Sequence, residues 1–390
     1  MNATLSSAVT PTAEVDWRSM SRLSAGHAFV DMCQGTVPAL IPTLISERGL
    51  SLGSATALVS IASIGSAVIQ PLFGIWSDRI SIPLLAPLGV LLAGCGIGAV
   101  GFCHSYLALA VALAIAGIGV ALFHPEGARM AHTVGGGNVK GMSYFSVGGN
   151  CGFAFGPLLV VIILAVGGIS FTPLICIPGV LVTLLILLDV ERLKHRLSSS
   201  SRVTDAAQPS DWIPFMKIVT AATLRTVPFF ALMALMPIYA IHHLGASHTL
   251  ASLMLTAMLL AGACGTLVGG RSADRFGKKL VLVWAMLPLT LLLLILPHTG
   301  LTALIVIMVG VGFTLDLPFS TTVVLGQQYL PGRRGLASGV TLGAAIGLGS
   351  LLATGLGAIA DATGTHTVLL VLPVFSALAL ALVVSLKQPS

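Results

Sequence analysis

The sequence predicts an all-α integral membrane protein of twelve transmembrane helices in two six-helix halves. Three observations carry that reading. Of 390 residues, 56% are hydrophobic and only 8% charged, where a soluble domain carries roughly a quarter charged. Apolar segments recur along the whole chain, and twelve helices of about 20 residues use roughly 240 positions, leaving room for short loops, one linker and two tails. Motifs of the first half also return in the second, in the same order. The mean hydropathy of +1.01 excludes a soluble enzyme, a nucleic-acid-binding domain and a disordered regulator. A β-barrel is excluded as well, because its strands would alternate polar and apolar residues.

Residues 1–20 are polar with no apolar core, so a cytoplasmic tail rather than a signal peptide is expected there. The first half, 21–188, holds helices near 21–46, 52–76, 82–103, 106–132, 140–166 and 170–188. Residues 189–215 are polar, Ser-rich and basic and read as a cytoplasmic linker. The second half, 216–386, holds helices near 216–242, 248–270, 280–297, 301–325, 333–360 and 364–386, with a short tail at 387–390. With these spans, all but Arg48, Arg129 and Arg225 of the 19 Lys and Arg fall on one side. The positive-inside rule places that side, both termini and the linker in the cytoplasm. The six cysteines are scattered through apolar segments without a CxxC pair, so neither a metal site nor a disulfide framework is expected.

The repeat is visible in three motifs. GxxxDR occurs at Gly74…Asp78-Arg79 and at Gly270…Asp274-Arg275, an offset of 196. GxGxxxxxP occurs at Gly117, Gly119, Pro125 and at Gly310, Gly312, Pro318, an offset of 193. Gly148, Gly152, Gly156 recur as Gly339, Gly343, Gly347, an offset of 191. Parallel six-helix repeats with a binding site near the midplane between them are one way of building a secondary transporter.

The loop Gly270-Arg-Ser-Ala-Asp274-Arg275-Phe-Gly277-Lys278-Lys279 resembles the signature loop of the major facilitator superfamily. In the first-half copy, Ser81 stands in place of the expected glycine and the following basic pair is missing. The resemblance implies the major facilitator fold. An Asp in this loop can receive a helix N-terminus or an Arg from a neighbouring helix, so Asp78, Arg79, Asp274 and Arg275 are read as a conformational latch. The alternative is an ordinary positive-inside loop.

A narrower resemblance spans nearly the whole chain. His27-Ala-Phe-Val-Asp31-Met-Cys-Gln34, Gln70-Pro71, Phe123-His124-Pro125-Glu126, Val147-Gly148-Gly149-Asn150…Gly156-Pro157 and Leu330-Pro331-Gly332-Arg333 are together similar to the fosmidomycin-resistance branch of that superfamily. It implies a bacterial inner-membrane efflux transporter exchanging protons for a drug or metabolite. The tract Gly152-x-x-x-Gly156-Pro157 resembles a motif tied to antiporters, although Val160-Val161 replace its closing glycine pair.

The residues themselves point to particular chemistry. His27, Asp31, Gln34 and Pro38 lie on one face of the first helix, within roughly 40° of one another. A mid-membrane carboxylate costs about 2.5–3.5 kcal/mol, so Asp31 is expected to face a wet cavity and to carry protons, with His27 sharing the load. The alternative is a structural polar pair. Arg225 aligns near Asp31 across the repeat. It either pairs with Asp31, grips an anionic substrate, or sits at the cytoplasmic interface. Glu126 and Arg129, at i and i+3, can pair on their own helix. Glu126 is a second proton-site candidate, and His124, on a different face, a substrate contact together with Gln34. Asp316 is a coupling carboxylate candidate without an acidic counterpart in the first half. The stripes Gly148, Gly152, Gly156 with Pro157, and Gly339, Gly343, Gly347, allow close helix approach and either sliding between halves or tight packing alone. Histidines 104, 242, 243, 248, 298 and 366 fall in outer regions and read as solvated surface.

The expected function is proton-coupled secondary transport by alternating access, driven by the proton gradient without a cofactor. The protein would export a small drug-like or anionic metabolite and act as a monomer with no nucleic-acid partner. A symporter importing a carboxylate or sugar, or a non-transporting receptor on the same fold, are the alternatives. No HExxH, GxSxG or phosphate loop supports an enzyme.

Overall fold

The computed structural model describes residues 14–79, 82–203 and 209–387. Ser81, most of the expected N-terminal tail, residues 204–208 of the expected linker and the last three residues lie outside that range. Twelve helical spans are long and apolar enough to cross a membrane. They are α1 (Trp17–Arg48), α2 (Leu52–Arg79), α3 (Leu85–Ala99), α4 (Tyr106–Val134), α5 (Val139–Gly167), α6 (Cys176–Val203), α7 (Trp212–Leu244), α8 (His248–Phe276), α9 (Lys278–Ile295), α10 (Leu301–Tyr329), α11 (Pro331–Thr363) and α12 (Thr365–Val384). No strand occurs among the described residues.

Burial is inverted relative to a soluble protein. Leu107, Ile213 and Val306 are more than 70% exposed on the perimeter, while His27, Glu126 and Arg225 are 2%, 0% and 6% exposed inside. Lipid can take the place of water around such a perimeter, and the interior must then satisfy its own polar groups.

Two of the expected boundaries shift. α6 does not end at residue 188 but runs on to Val203, so the linker begins as helix. Arg22 on α1 holds Asp189 at 2.7 Å just past the expected end, so a buried pair carries the helix out of the apolar run. α7 starts at Trp212, four residues ahead of the apolar window. Two other spans are irregular. α10 is two helices, Leu301–Asp316 and Phe319–Tyr329, meeting at Leu317-Pro318, where proline cannot supply a backbone donor. α11 contains a π-helical turn at Val340–Ala344, a feature that recurs at functional sites.

The helices alternate in direction, so both ends of the described chain lie at one end of the bundle, here the termini end. Within the first half α1 packs on α5. Between halves α5 packs on α8, and α2 packs on α11. The glycine stripes divide along this line. Gly148, Gly152 and Gly156 press on Ser24, Ala28 and Gly35 of α1, inside one half. Sliding between halves is therefore not what the α5 stripe serves. Gly339, Gly343 and Gly347 press on Gln70, Pro71 and Ala67 of α2, across the halves. Pro157 is exposed.

A side chain at Gly152 has nowhere to go, because a Cβ there would collide with the Ala28 backbone. Gly152→Val should destabilise the detergent-solubilised protein by about 1–3 kcal/mol, read as a lowered melting temperature. The control Gly355→Val, with nothing within 4 Å of its Cβ position, should be near neutral.

Candidate functional site

The termini end is closed by a symmetric pair of carboxylates. A helix begins with backbone N–H groups that have no partner within the helix. At α5, Asn138 caps one of them, through Gly141 N at 2.7 Å. Asp274 of α8, from the other half, accepts from Val139 N at 2.9 Å and Lys140 N at 2.7 Å. The mirror contact joins α2 to α11, where Asp78 accepts from Gly335 N at 2.6 Å and Leu336 N at 2.8 Å. Charge, dipole and hydrogen bond act in one direction at both sites. The neighbouring Arg79 and Arg275 are exposed, and Arg275 lies over the Phe276 ring at 5.0 Å.

Further ties lie on the same side. Arg271 donates to the Tyr144 hydroxyl at 2.5 Å. Gln327 of α10, fully buried, donates to the Ala128 carbonyl at 3.3 Å and to Ser338 at 2.8 Å. Asn150 of α5 donates to the Thr266 hydroxyl of α8, across the halves, at 3.0 Å. Glu126 belongs to this network rather than to the centre. It is bound by Arg129 through Nε at 3.1 Å and Nη2 at 2.6 Å, and it accepts from Ser77, next to Asp78.

Near the middle of α1 a second constellation forms. His27 Nε2 lies 3.3 Å from Asp31 Oδ2, and His124 Nε2 of α4 lies 3.1 Å from Asp31 Oδ1. Sequence analysis set His124 apart as a substrate contact. The crossing of α1 and α4 brings it instead onto Asp31. The Nδ1 atoms of the two rings hydrogen-bond backbone carbonyls, Phe145 O at 2.8 Å and Val120 O at 2.9 Å. A carbonyl only accepts, so each Nδ1 carries the hydrogen. In the neutral rings both Nε2 atoms are then bare lone pairs facing a carboxylate. Two acceptors face to face repel, so the cluster is stabilised by a proton held between ring and carboxyl.

The three donor atoms lie within 4.8 Å of one another, a set that a metal ion could also use. Three ligands leave a metal one short of a closed tetrahedral site, whereas a proton on each N···O line needs nothing more. The side chain of Asp31 is 16% accessible against 3% for His27 and 7% for His124, so the carboxyl is the door of the cluster. Gln34 is half-buried on the same helix.

The second half holds the counterpart. Arg225 of α7 does not reach Asp31, whose oxygens are taken by the histidines. It donates through Nη1 to the Leu315 carbonyl at 2.5 Å and to Asp316 Oδ1 at 3.3 Å. It also lies over the Phe319 ring at 5.6 Å. The break of α10 at Pro318 frees that carbonyl and places Asp316 beside it. Arg225 is buried rather than at the interface, and its Nε has no hydrogen-bond partner.

Four contributors escaped the sequence reading. Ser77 adjoins the Asp78-Arg79 pair, Asp189 opens the polar linker stretch and Gln327 stands beside Gln328, but no spacing marked any of them as a partner across helices. Gly149 sits where a Cβ would strike both the Asp31 carboxyl and the His27 ring. Its signal was the doubled glycine of the Val147-Gly-Gly-Asn run, one residue off the regular stripe.

Two helical bundles with partnered charges buried at mid-depth, and a latch between them at one end, define a membrane transporter rather than an enzyme. The family model of the Major Facilitator Superfamily matches residues 23–234 and 218–390. The chain belongs to that superfamily. It is 31% identical over 375 residues to the fosmidomycin resistance protein of Escherichia coli, covering 93% of this chain and 91% of the relative. It is 30% identical over 373 residues to the uncharacterized transporter YfnC of Bacillus subtilis, covering 91% and 90%. Among solved structures, the transporter FucP in its outward conformation superposes with a TM-score of 0.70 at 16% identity, covering 94% of this chain and 98% of that one.

Cutting the latch should loosen the closed end. Ser143, fully buried under Gly270, is a reporter. A Ser143→Cys protein should react slowly with a maleimide, above the background of the native thiols, and at least severalfold faster when Asp274→Ala is added.

Proposed function

We propose that the protein is a proton-coupled secondary transporter that moves a small anionic solute by alternating access, and that its working direction is export. The single observation that carries the proton coupling is the carboxyl of Asp31 set within 3.3 Å of the Nε2 atoms of two imidazoles. The cluster can gain and lose protons without breaking the hydrogen bonds that hold its rings. Arg225 supplies the anion-binding group, since a guanidinium with a free Nε can grip a carboxylate or phosphonate in bidentate geometry. Export is supported by the similarity to the E. coli fosmidomycin resistance protein, whose name implies removal of a drug. The count of positive residues supports a cytoplasmic termini end, in a bacterial inner membrane.

In the proposed cycle the bundle opens away from the termini and the cluster takes protons there while substrate leaves. The halves then rock, the latches at Asp78 and Asp274 part, and protons leave to the cytoplasm as the next anion binds Arg225. One observation favours the opposite coupling. An anion arriving at Arg225 competes with Asp316, and a displaced Asp316 in an apolar setting takes up a proton. That sequence of events is symport.

The deciding experiment uses proteoliposomes with a trapped pH dye and a panel of fosmidomycin, other phosphonates and apolar drugs. Opposed movement of proton and substrate, abolished in Asp31→Asn, is the expected result. Co-directional movement would establish symport, and full gradient-driven transport in Asp31→Asn would refute the coupling site. Arg225→Gln, compared in the same vesicles, should raise the KM for a phosphonate at least tenfold while leaving that for a neutral drug within a factor of three.

A further inference from the structure

At the termini end, apart from the central constellations, lies a cavity of about 470 Å³. Its chemistry-bearing walls are Lys278, Lys279, Arg334, Lys387, His132 and Gln327, and among the described residues no Asp or Glu lines it. The cations arrive from separate parts of the chain: the start of α9, the start of α11 and Lys387, three residues past the end of α12. His132 comes from α4, in the other half, and faces Gln327 and Arg334. Cationic side chains gathered around one space favour an anion there.

The start of α9 adds to the imbalance. The turn into it runs through Gly277, with φ +96, and the helix then opens on Lys278 and Lys279. No side chain caps its first N–H groups, and no acid occupies its first turn. Positive residues there lie against the positive end of the helix dipole, the reverse of the favourable arrangement. The matching helix starts at α5 and α11 are each satisfied by a carboxylate. The start of α9 is the one of the three left without an anion. Leu386 and Lys387 form part of the rim of the cavity, held by Lys279 Nζ on the Leu386 carbonyl at 2.8 Å and the Tyr329 hydroxyl on the Lys387 carbonyl at 2.6 Å.

We propose that this cavity is a binding site for a phosphate-type anion, seated between the start of α9, Arg334 and His132. The space exceeds that of bare phosphate and falls in the range of small-molecule pockets, so the group is carried by a larger molecule. A free phosphorylated metabolite and an anionic lipid headgroup share the required chemistry. Because His132 belongs to one half and the four cations to the other, the occupant bridges the halves at their closed end. The site is independent of the transported solute, which the central Arg225 would hold.

The test titrates inorganic phosphate by calorimetry into the full chain in phosphatidylcholine nanodiscs at constant ionic strength. Wild type should bind saturably. The double variant Lys278→Gln with Arg334→Gln should bind at least tenfold more weakly while keeping the wild-type melting temperature. Arg225→Gln should bind as wild type does. Repeating the titration in nanodiscs containing phosphatidylglycerol separates the two sources: competition assigns the site to lipid, and unchanged affinity assigns it to a soluble phosphate compound. Absence of saturable binding, equal binding in the double variant, or loss of binding in Arg225→Gln would each overturn the proposal. If the double variant is unstable, Lys278→Gln alone, at a half-buried helix start, must still weaken binding.

Discussion

A charge in the interior of a lipid-embedded bundle persists only if something beside it carries the opposite charge, a proton or a well-placed dipole. Much of this structure follows from meeting that requirement. Asp31 is held by two histidines, Arg225 by a carbonyl and Asp316, and Glu126 by Arg129 and Ser77. Each partner is a group that can exchange its proton or be displaced, so the same arrangement that makes burial tolerable also makes the state of the bundle responsive to what binds.

The two halves meet this requirement differently, and the difference suggests a division of labour. The first half answers a carboxylate with imidazoles, which titrate in the physiological range when unperturbed. The second answers a guanidinium that stays charged with a carbonyl freed by Pro318. In the proposed function one half varies in charge and the other holds a fixed positive charge. At the termini end the halves are alike again, because there both solve one problem, the open N–H groups of a helix start, with one residue, an aspartate. These bonds are exposed or half-exposed and individually modest, which suits contacts that must part and reform.

Glycine sets how closely these groups approach. In α5 the regular stripe fixes α1 against it as one body, and the extra Gly149 presses backbone onto the Asp31–His27 pair. In α11 the equivalent stripe faces α2 of the other half and lies beside a π-helical turn. The same motif therefore makes a rigid joint within one half and a smooth contact between the two.

The twelve spans, the two-fold repeat, the family and the expensive residues were all legible in the sequence. Hydrophobic length and the rarity of charge are local properties, and a membrane solvent enforces them segment by segment. Helical periodicity also placed His27 and Asp31 on one face, because one turn of one helix decides that. Partnership across helices was not legible. That His124 meets Asp31, that Arg225 meets Asp316 instead, that Gln327 reaches Ala128, and that five separate segments gather a cationic cavity all depend on where helices cross. Crossing is set by side-chain volume and by glycine contacts between segments far apart in the chain. The sequence by itself determined which charges this protein must bury; only the tertiary structure decided which of them share a proton, which bind one another and which are left facing an open space.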